Sequence, residues 1–164
     1  MKIKLPTWKD LGLNIKQILW DHNYKTFEEF KNAHSARFCA LLGNYLNKKG
    51  IPHTKENFLF AYNVIFYYGY INQKREQDLL NILVNNNYLV SPTYMILDAV
   101  VGIDLIAVSD KGSYVIQVKP NNNFVNKKHI ETYANNHGYI VVFAYKEGSK
   151  WNFLDKNLNK CTLF

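Results

Sequence analysis

Two short apolar runs on either side of residue 110 constrain this chain more than anything else in it. They are Gly102-Ile-Asp104-Leu-Ile-Ala-Val108 and Tyr114-Val-Ile-Gln117-Val-Lys119, separated by Ser109-Asp110-Lys111-Gly112-Ser113. Both runs are rich in β-branched and aliphatic residues, which predicts buried strands, and the polar link predicts a hairpin with a two-residue loop at Lys111-Gly112. With that loop Asp104 faces Lys119 and Ile106 faces Gln117. Side chains two apart on a strand share a face, so Asp104, Gln117 and Lys119 line one side together. A three-residue loop would turn Asp104 to the other side, so the register decides whether these residues meet. A buried acid and a buried lysine are costly unless they pair or bind something. Either they form a salt bridge between strands, which says little about stability or function, or they make a site.

The 164 residues suffice for one domain, or for a small domain with an appendage. A chain that is 48% hydrophobic and 15% aromatic can build a core and is far from a disordered composition. Cys39 and Cys161 have no metal-ligand spacing and no disulfide framework, and His22, His34, His53, His129 and His137 form no zinc motif. The opening Met1-Lys-Ile-Lys-Leu-Pro-Thr7 lacks the apolar core of a signal peptide. The longest apolar stretch, Phe58 to Ile71, contains Asn63 and is too short to span a bilayer. A soluble, cytoplasmic protein without a membrane partner is the expectation.

Charge divides unevenly. Residues 1–75 hold 12 Lys+Arg against 5 Asp+Glu, and residues 76–164 hold 8 of each, so the whole excess of +7 lies in the first part. A basic segment joined to a neutral one with an acid/lysine pair suggests polyanion binding by the first and chemistry by the second. The alternative is a solvated, lysine-rich surface.

Along the chain, Pro6-Thr7 followed by Trp8, Leu11, Ile15, Ile18 and Leu19 predicts one capped amphipathic helix. Thr26-Phe-Glu-Glu29 fits a capping box and opens a longer helix that closes at Lys48-Lys49-Gly50. A third helix is expected over Thr54–Tyr68, capped by Thr54 and stopped by Gly69. Its aromatic load (Phe58, Phe60, Tyr62, Phe66, Tyr67, Tyr68) exceeds one buried face, which leaves part of it for a partner subunit or for bases, with core packing as the favoured alternative. A fourth helix runs from Gln73 with Leu79, Leu80, Ile82 and Leu83 as its apolar side, and Asn85-Asn86-Asn87 ends it. Strands follow at Tyr88–Leu97, Ile103–Val108 and Tyr114–Lys119. Then come a helix over 124–136 stopped by His137-Gly138, a strand over Tyr139–Tyr145 and a weak edge strand at Trp151–Leu154. The expected fold class is α/β (α+β), an αβββαβ core with an N-terminal helical extension. The expected division is a basic, aromatic helical segment over 1–71 and a core over 72–164.

That order, with those residues in those places, resembles the PD-(D/E)xK nuclease superfamily, in particular Mrr-type restriction enzymes and archaeal-type Holliday junction resolvases. The resemblance covers roughly residues 73–145. It rests on Glu76 in Arg-Glu-Gln-Asp-Leu-Leu, on Asn87-Tyr-Leu-Val90, on Gly102-Ile-Asp104-Leu-Ile-Ala-Val and on Gln117-Val-Lys119. It implies a restriction-endonuclease-like core that hydrolyses DNA phosphodiester bonds with Mg²⁺ or Mn²⁺. Asp104 would be the central metal ligand, the Val118 carbonyl and Gln117 further ligands, and Lys119 the group that holds the attacking water and offsets transition-state charge. Glu76 would join the catalytic set from its helix, and Asp98 is a candidate extra carboxylate. Gln117 departs from the Glu or Asp most of the superfamily carries, although Mrr-type enzymes also have Gln there. The amide leaves the core motif one formal negative charge where most members have two.

Lys48, Lys49, Lys74, Arg75, Lys127 and Lys128 are the candidate nucleic-acid contacts. His129 and Tyr133 are candidates for the scissile phosphate, with a solvated or backbone-touching helix face as the favoured alternative. DNA and a second copy of the chain are the expected partners, since one site cuts one strand. The competing expectation is a nuclease-like module that binds DNA or assembles without cutting. A third reading is an RNA endonuclease of related fold.

Overall fold

The computed structural model describes residues 3–93, 97–122 and 128–164. The chain divides into two compact units, 1–73 and 74–164.

The first unit is helical. Helix α1 (Trp8–Leu11) is capped by Thr7, whose side chain accepts from the Asp10 N–H at 3.3 Å while the Thr7 N–H donates to the Asp10 carboxylate at 2.9 Å. It does not run on to Leu19 as the periodicity suggests. Gly12 turns left-handed at φ 69°, its N–H closing on the Trp8 carbonyl at 2.9 Å, and Asn14 caps a new helix, α2 (Ile15–His22). Helix α3 (Phe27–Lys48) starts under the Thr26 cap as expected, and Glu29 reaches back to the Lys25 N–H at 3.3 Å.

Thr54 caps α4 (Lys55–Ala61). The expected stop at Gly69 does not occur: α4 passes through a π-helical segment (Tyr62–Tyr67) directly into α5 (Tyr68–Asn85). A β-carbon on Gly69 would lie 3.4 Å from Ile15 Cγ2, an ordinary contact distance, so the glycine sits inside a helix against Ile15. Leu19, Phe30, Phe38, Leu42, Leu46 and Phe66 are fully buried at the centre of this unit, and Phe30 stacks on Phe66 with ring centroids 4.2 Å apart.

The second unit is a mixed α/β sandwich. From α5, Leu79 and Leu83 are fully buried, and the helix ends at Asn85, with Asn87 left-handed at φ 70°. The sheet has six strands in sequence order: β1 (Leu89–Pro92), β2 (Leu105–Ser109), β3 (Gly112–Lys119), β4 (Ile140–Glu147), β5 (Lys150–Leu154) and β6 (Lys160–Cys161). All neighbours are antiparallel except β3 and β4, which are parallel and connected through α6 (Lys128–His137). The predicted αβββαβ order is therefore present, with two further strands.

Two elements differ from expectation. The first strand is short: Leu97–Val101 forms a π-helical turn, and residues 94–96 lie outside the described residues. The helix expected over 124–136 is present as α6 from Lys128, and residues 124–127 lie outside the described residues. The two-residue edge strand β6 is new.

Strand alternation assigns the two faces of the sheet. Val115, Gln117 and Lys119 pair with Val141, Phe143 and Tyr145, and the apolar members of this face pack on Ile130 and Ala134 of α6. On the opposite face Lys146 donates to Asp78 of α5 at 2.7 Å, and the Trp151 Nε1–H donates to the same carboxylate oxygen at 3.2 Å. The Lys146 bond, helped by Trp151 and opposed by partial burial, holds the Asp78 carboxyl below the usual carboxylate range. A folded-state pKa below the unfolded one contributes stability above about pH 4 that is lost as pH falls further. Asp78→Asn is thus expected to destabilise the protein at pH 7 by less than about 1 kcal/mol, since both side chains are partly exposed. In urea unfolding at pH 3, the gap between variant and parent should shrink.

No helix among the described residues is long and apolar enough to cross a membrane.

Candidate active site

The hairpin register places the site. The ladder between β2 and β3 pairs Leu105 with Ile116, Ala107 with Tyr114 and Ser109 with Gly112. The loop is therefore Asp110-Lys111, one position earlier than expected, and the positive φ of 145° falls on Gly112 at the loop's exit. Each predicted pairing moves by two residues, so Ile106 faces Val115 rather than Gln117. A slip of two leaves every side chain on its face.

Asp104 stands one residue before β2 begins, held by main-chain bonds on both sides. Its N–H donates to the Ile116 carbonyl at 2.8 Å, and its carbonyl accepts from the Thr93 N–H at 3.1 Å. Thr93 is itself buried, and its hydroxyl donates to the Ile103 carbonyl. Strand β3 runs on to Lys119, beyond its last ladder pair with β2 at Ile116. A main-chain N–H there needs an acceptor, and Asp104 supplies it: the Val118 N–H donates to Oδ2 at 2.7 Å. That short, charge-assisted bond fixes the carboxylate at the peptide lying between Gln117 and Lys119.

Asp104, Gln117 and Lys119 are all half-buried rather than buried, so part of each residue meets solvent. The salt-bridge alternative is not realised: the Lys119 side chain makes no hydrogen bond or ion pair with another described residue. Gln117 Oε1 is inaccessible to solvent and has no hydrogen-bond partner among the described residues. A buried acceptor left unmade costs about 1–3 kcal/mol. At its other end the amide lies over Gly102, where a β-carbon would come within 2.8 Å of Nε2.

This orphaned oxygen, next to the residue bonded to Asp104, is the test of whether a divalent cation fits. The Asp104 carboxylate, the Gln117 amide oxygen and the Val118 carbonyl are hard oxygen donors of the kind Mg²⁺ and Mn²⁺ take, and Mg²⁺ keeps several waters rather than demanding a full protein cage. The donor set fits. Among the described residues no group of three His, Cys, Asp or Glu side chains gathers for a metal, so Glu76, Asp98 and Asp104 do not form a carboxylate triad. Glu76 is nearly buried on α5, two residues from Asp78, which is tied to the sheet face opposite Gln117 and Lys119. Asp98 lies half-buried in the π-helical turn.

The basic candidates are dispersed. Lys48 and Lys49 are exposed at the end of α3 in the first unit. In the second, Lys74 and Arg75 are half-buried on α5, and Lys128 is exposed at the start of α6. Lys127 lies outside the described residues. His129 is exposed, and Tyr133 stacks on His137 at 4.1 Å. Thr93 as an anchor and Gly102 as clearance for Gln117 were not anticipated. Gly102 stood in the quoted motif, but only the fold shows what it clears.

The chain matches no protein-family model and no curated protein. Among solved structures it is similar to Hjc of Archaeoglobus fulgidus, a Holliday junction resolvase from an archaeal hyperthermophile, at 20% identity and a TM-score of 0.44, over 51% of this chain and 75% of that one. A likeness that distant assigns no role to any residue, and the chemistry of the site rests on its own geometry.

Proposed function

We propose that the second unit is a divalent-cation-dependent nuclease that hydrolyses DNA phosphodiester bonds. The observation that carries this reading is the Asp104 carboxylate bonded to the Val118 N–H, with Gln117, whose buried amide oxygen has no hydrogen-bond partner among the described residues, and Lys119, whose side chain has no partner among them, on either side of Val118 in the strand. An acid held by main chain, a second oxygen donor and a cation with no partner among the described residues suit a negatively charged substrate better than they suit stability. The sequence resemblance to PD-(D/E)xK nucleases supports the same assignment.

In this reading Asp104, Gln117 and the Val118 carbonyl hold Mg²⁺ or Mn²⁺, which when bound supplies Lewis-acid charge neutralisation at the phosphoryl oxygens and lowers the pKa of water. Lys119 donates hydrogen bonds to the attacking water and to the phosphorane oxygens, offsetting the extra negative charge of the transition state. Glu76 has no assigned part in this reading, since its helix covers the sheet face opposite Gln117 and Lys119. The first unit, with its surplus of positive charge and its exposed Tyr67 and Tyr68, retains DNA or a second subunit, and a double-strand break needs two such sites. Lys48, Lys49, Lys74, Arg75, Lys127 and Lys128 contact phosphates.

A second reading has one observation of its own. With a single carboxylate in the core motif and no carboxylate triad among the described residues, the same fold would bind DNA or assemble without cutting.

Supercoiled plasmid and a four-way junction, each with millimolar Mg²⁺ or Mn²⁺, separate the two. Cleavage that needs the ion and disappears in Asp104→Ala and Lys119→Ala, with salt-sensitive binding retained, is the expected result. Binding without cleavage in the parent protein would hand the site to the second reading. Competition between duplex DNA and RNA tests the substrate class.

A further inference from the structure

We propose that Gly102 is a positioning residue for the cation site, acting through Gln117. The inference rests on the nuclease reading and concerns which groups set the strength of ion binding. Gly102 follows the π-helical turn Leu97–Val101 and takes φ 85°, a left-handed conformation that glycine adopts freely. Its bare α-carbon faces the Gln117 amide, and a β-carbon there would sit 2.8 Å from Nε2 and 3.9 Å from Cδ. The amide therefore packs where any other residue would place a methylene.

That packing orients the opposite end. With Nε2 against Gly102, Oε1 points away from it into a position closed to solvent and without a partner. A flexible glutamine would ordinarily turn until both ends were satisfied. Here the close approach of Gly102 keeps the oxygen available as a donor at the peptide to which Asp104 is bonded. The clash made by a side chain at residue 102 would fall on the free end of a flexible side chain rather than on backbone. The amide would move while the sheet stays in place, and the oxygen would leave its position. Groups that orient ligands in this way change metal affinity by about 10- to 100-fold.

The test is Mn²⁺ binding to the ion-free protein, followed by loss of the free-ion EPR signal, with thermal melting as the check on folding. Gly102→Ala, Gln117→Ala and their double variant form a cycle. Gly102→Asn is included because asparagine tolerates positive φ while adding the same β-carbon; it decides the matter should the alanine variant fail to fold. Each single variant is expected to weaken Mn²⁺ binding about 10- to 100-fold, and the double variant no further than Gln117→Ala alone. Parent-like binding by Gly102→Asn, or losses that multiply in the double variant, would overturn the role of Gly102. Asp104→Ala distinguishes that failure from a deeper one: if it binds Mn²⁺ as the parent does, the cation site and the nuclease reading both fall.

Discussion

Asp104→Asn is expected to reduce metal-dependent cleavage by about a thousandfold, the several kcal/mol that a cation contributes to transition-state charge stabilisation, while leaving the fold almost untouched. The asymmetry follows from the two jobs of this carboxylate. One oxygen accepts the Val118 N–H at 2.7 Å and closes the end of β3 where the ladder with β2 has run out. An asparagine amide oxygen can accept that same bond but brings no charge for a cation. Asp104→Ala should lose the same activity and in addition leave the Val118 N–H without its acceptor, at about 1–3 kcal/mol of stability. Cleavage assays beside urea unfolding of the two variants read both effects. Equal stability in Asn and Ala variants would show that the bond to Val118 has no structural weight, and full activity in the Asn variant would remove Asp104 from the chemistry.

How much of this was legible in the sequence depends on which interactions decide each element. The apolar, β-branched runs Ile103–Val108 and Tyr114–Lys119 placed both strands, because such short runs suit a buried strand. The loop was misplaced by one residue because Gly112 looks like a turn centre, whereas its φ of 145° lies at the exit of Asp110-Lys111. Parity survived, and with it the grouping of Gln117 and Lys119 beside Asp104. Two other glycines misled in opposite directions. Gly12 ends a helix that periodicity carried through, and Gly69 sits inside a helix it was expected to stop, packed beside Ile15. Tertiary packing settles such positions, and one sequence does not record it. The same holds for β6, whose two residues have no pattern of their own and pair only because β5 offers an edge. It holds also for Glu76: its helix was predictable, but the sheet face its helix covers follows from Asp78 meeting Lys146 and Trp151.

The aromatic residues of the first unit allow a comparable test of core against surface. Phe30→Ala is expected to destabilise this unit by about 3–5 kcal/mol, the usual range for emptying a buried phenylalanine site. Phe30 is fully buried and stacks on Phe66 at 4.2 Å and on Tyr70 at 6.0 Å, with His34 tilted against it at 5.7 Å. These rings come from α3, the π-helical segment and α5, so no single neighbour can fill the space by changing rotamer. Tyr68 is the counterpart, 53% exposed, and Tyr68→Ala should change stability by less than about 0.5 kcal/mol. If it weakens DNA binding or self-association instead, the aromatic surplus beyond the buried face serves a partner. A large loss of stability from Tyr68→Ala, or a small one from Phe30→Ala in denaturant unfolding, would reverse the division between core and surface.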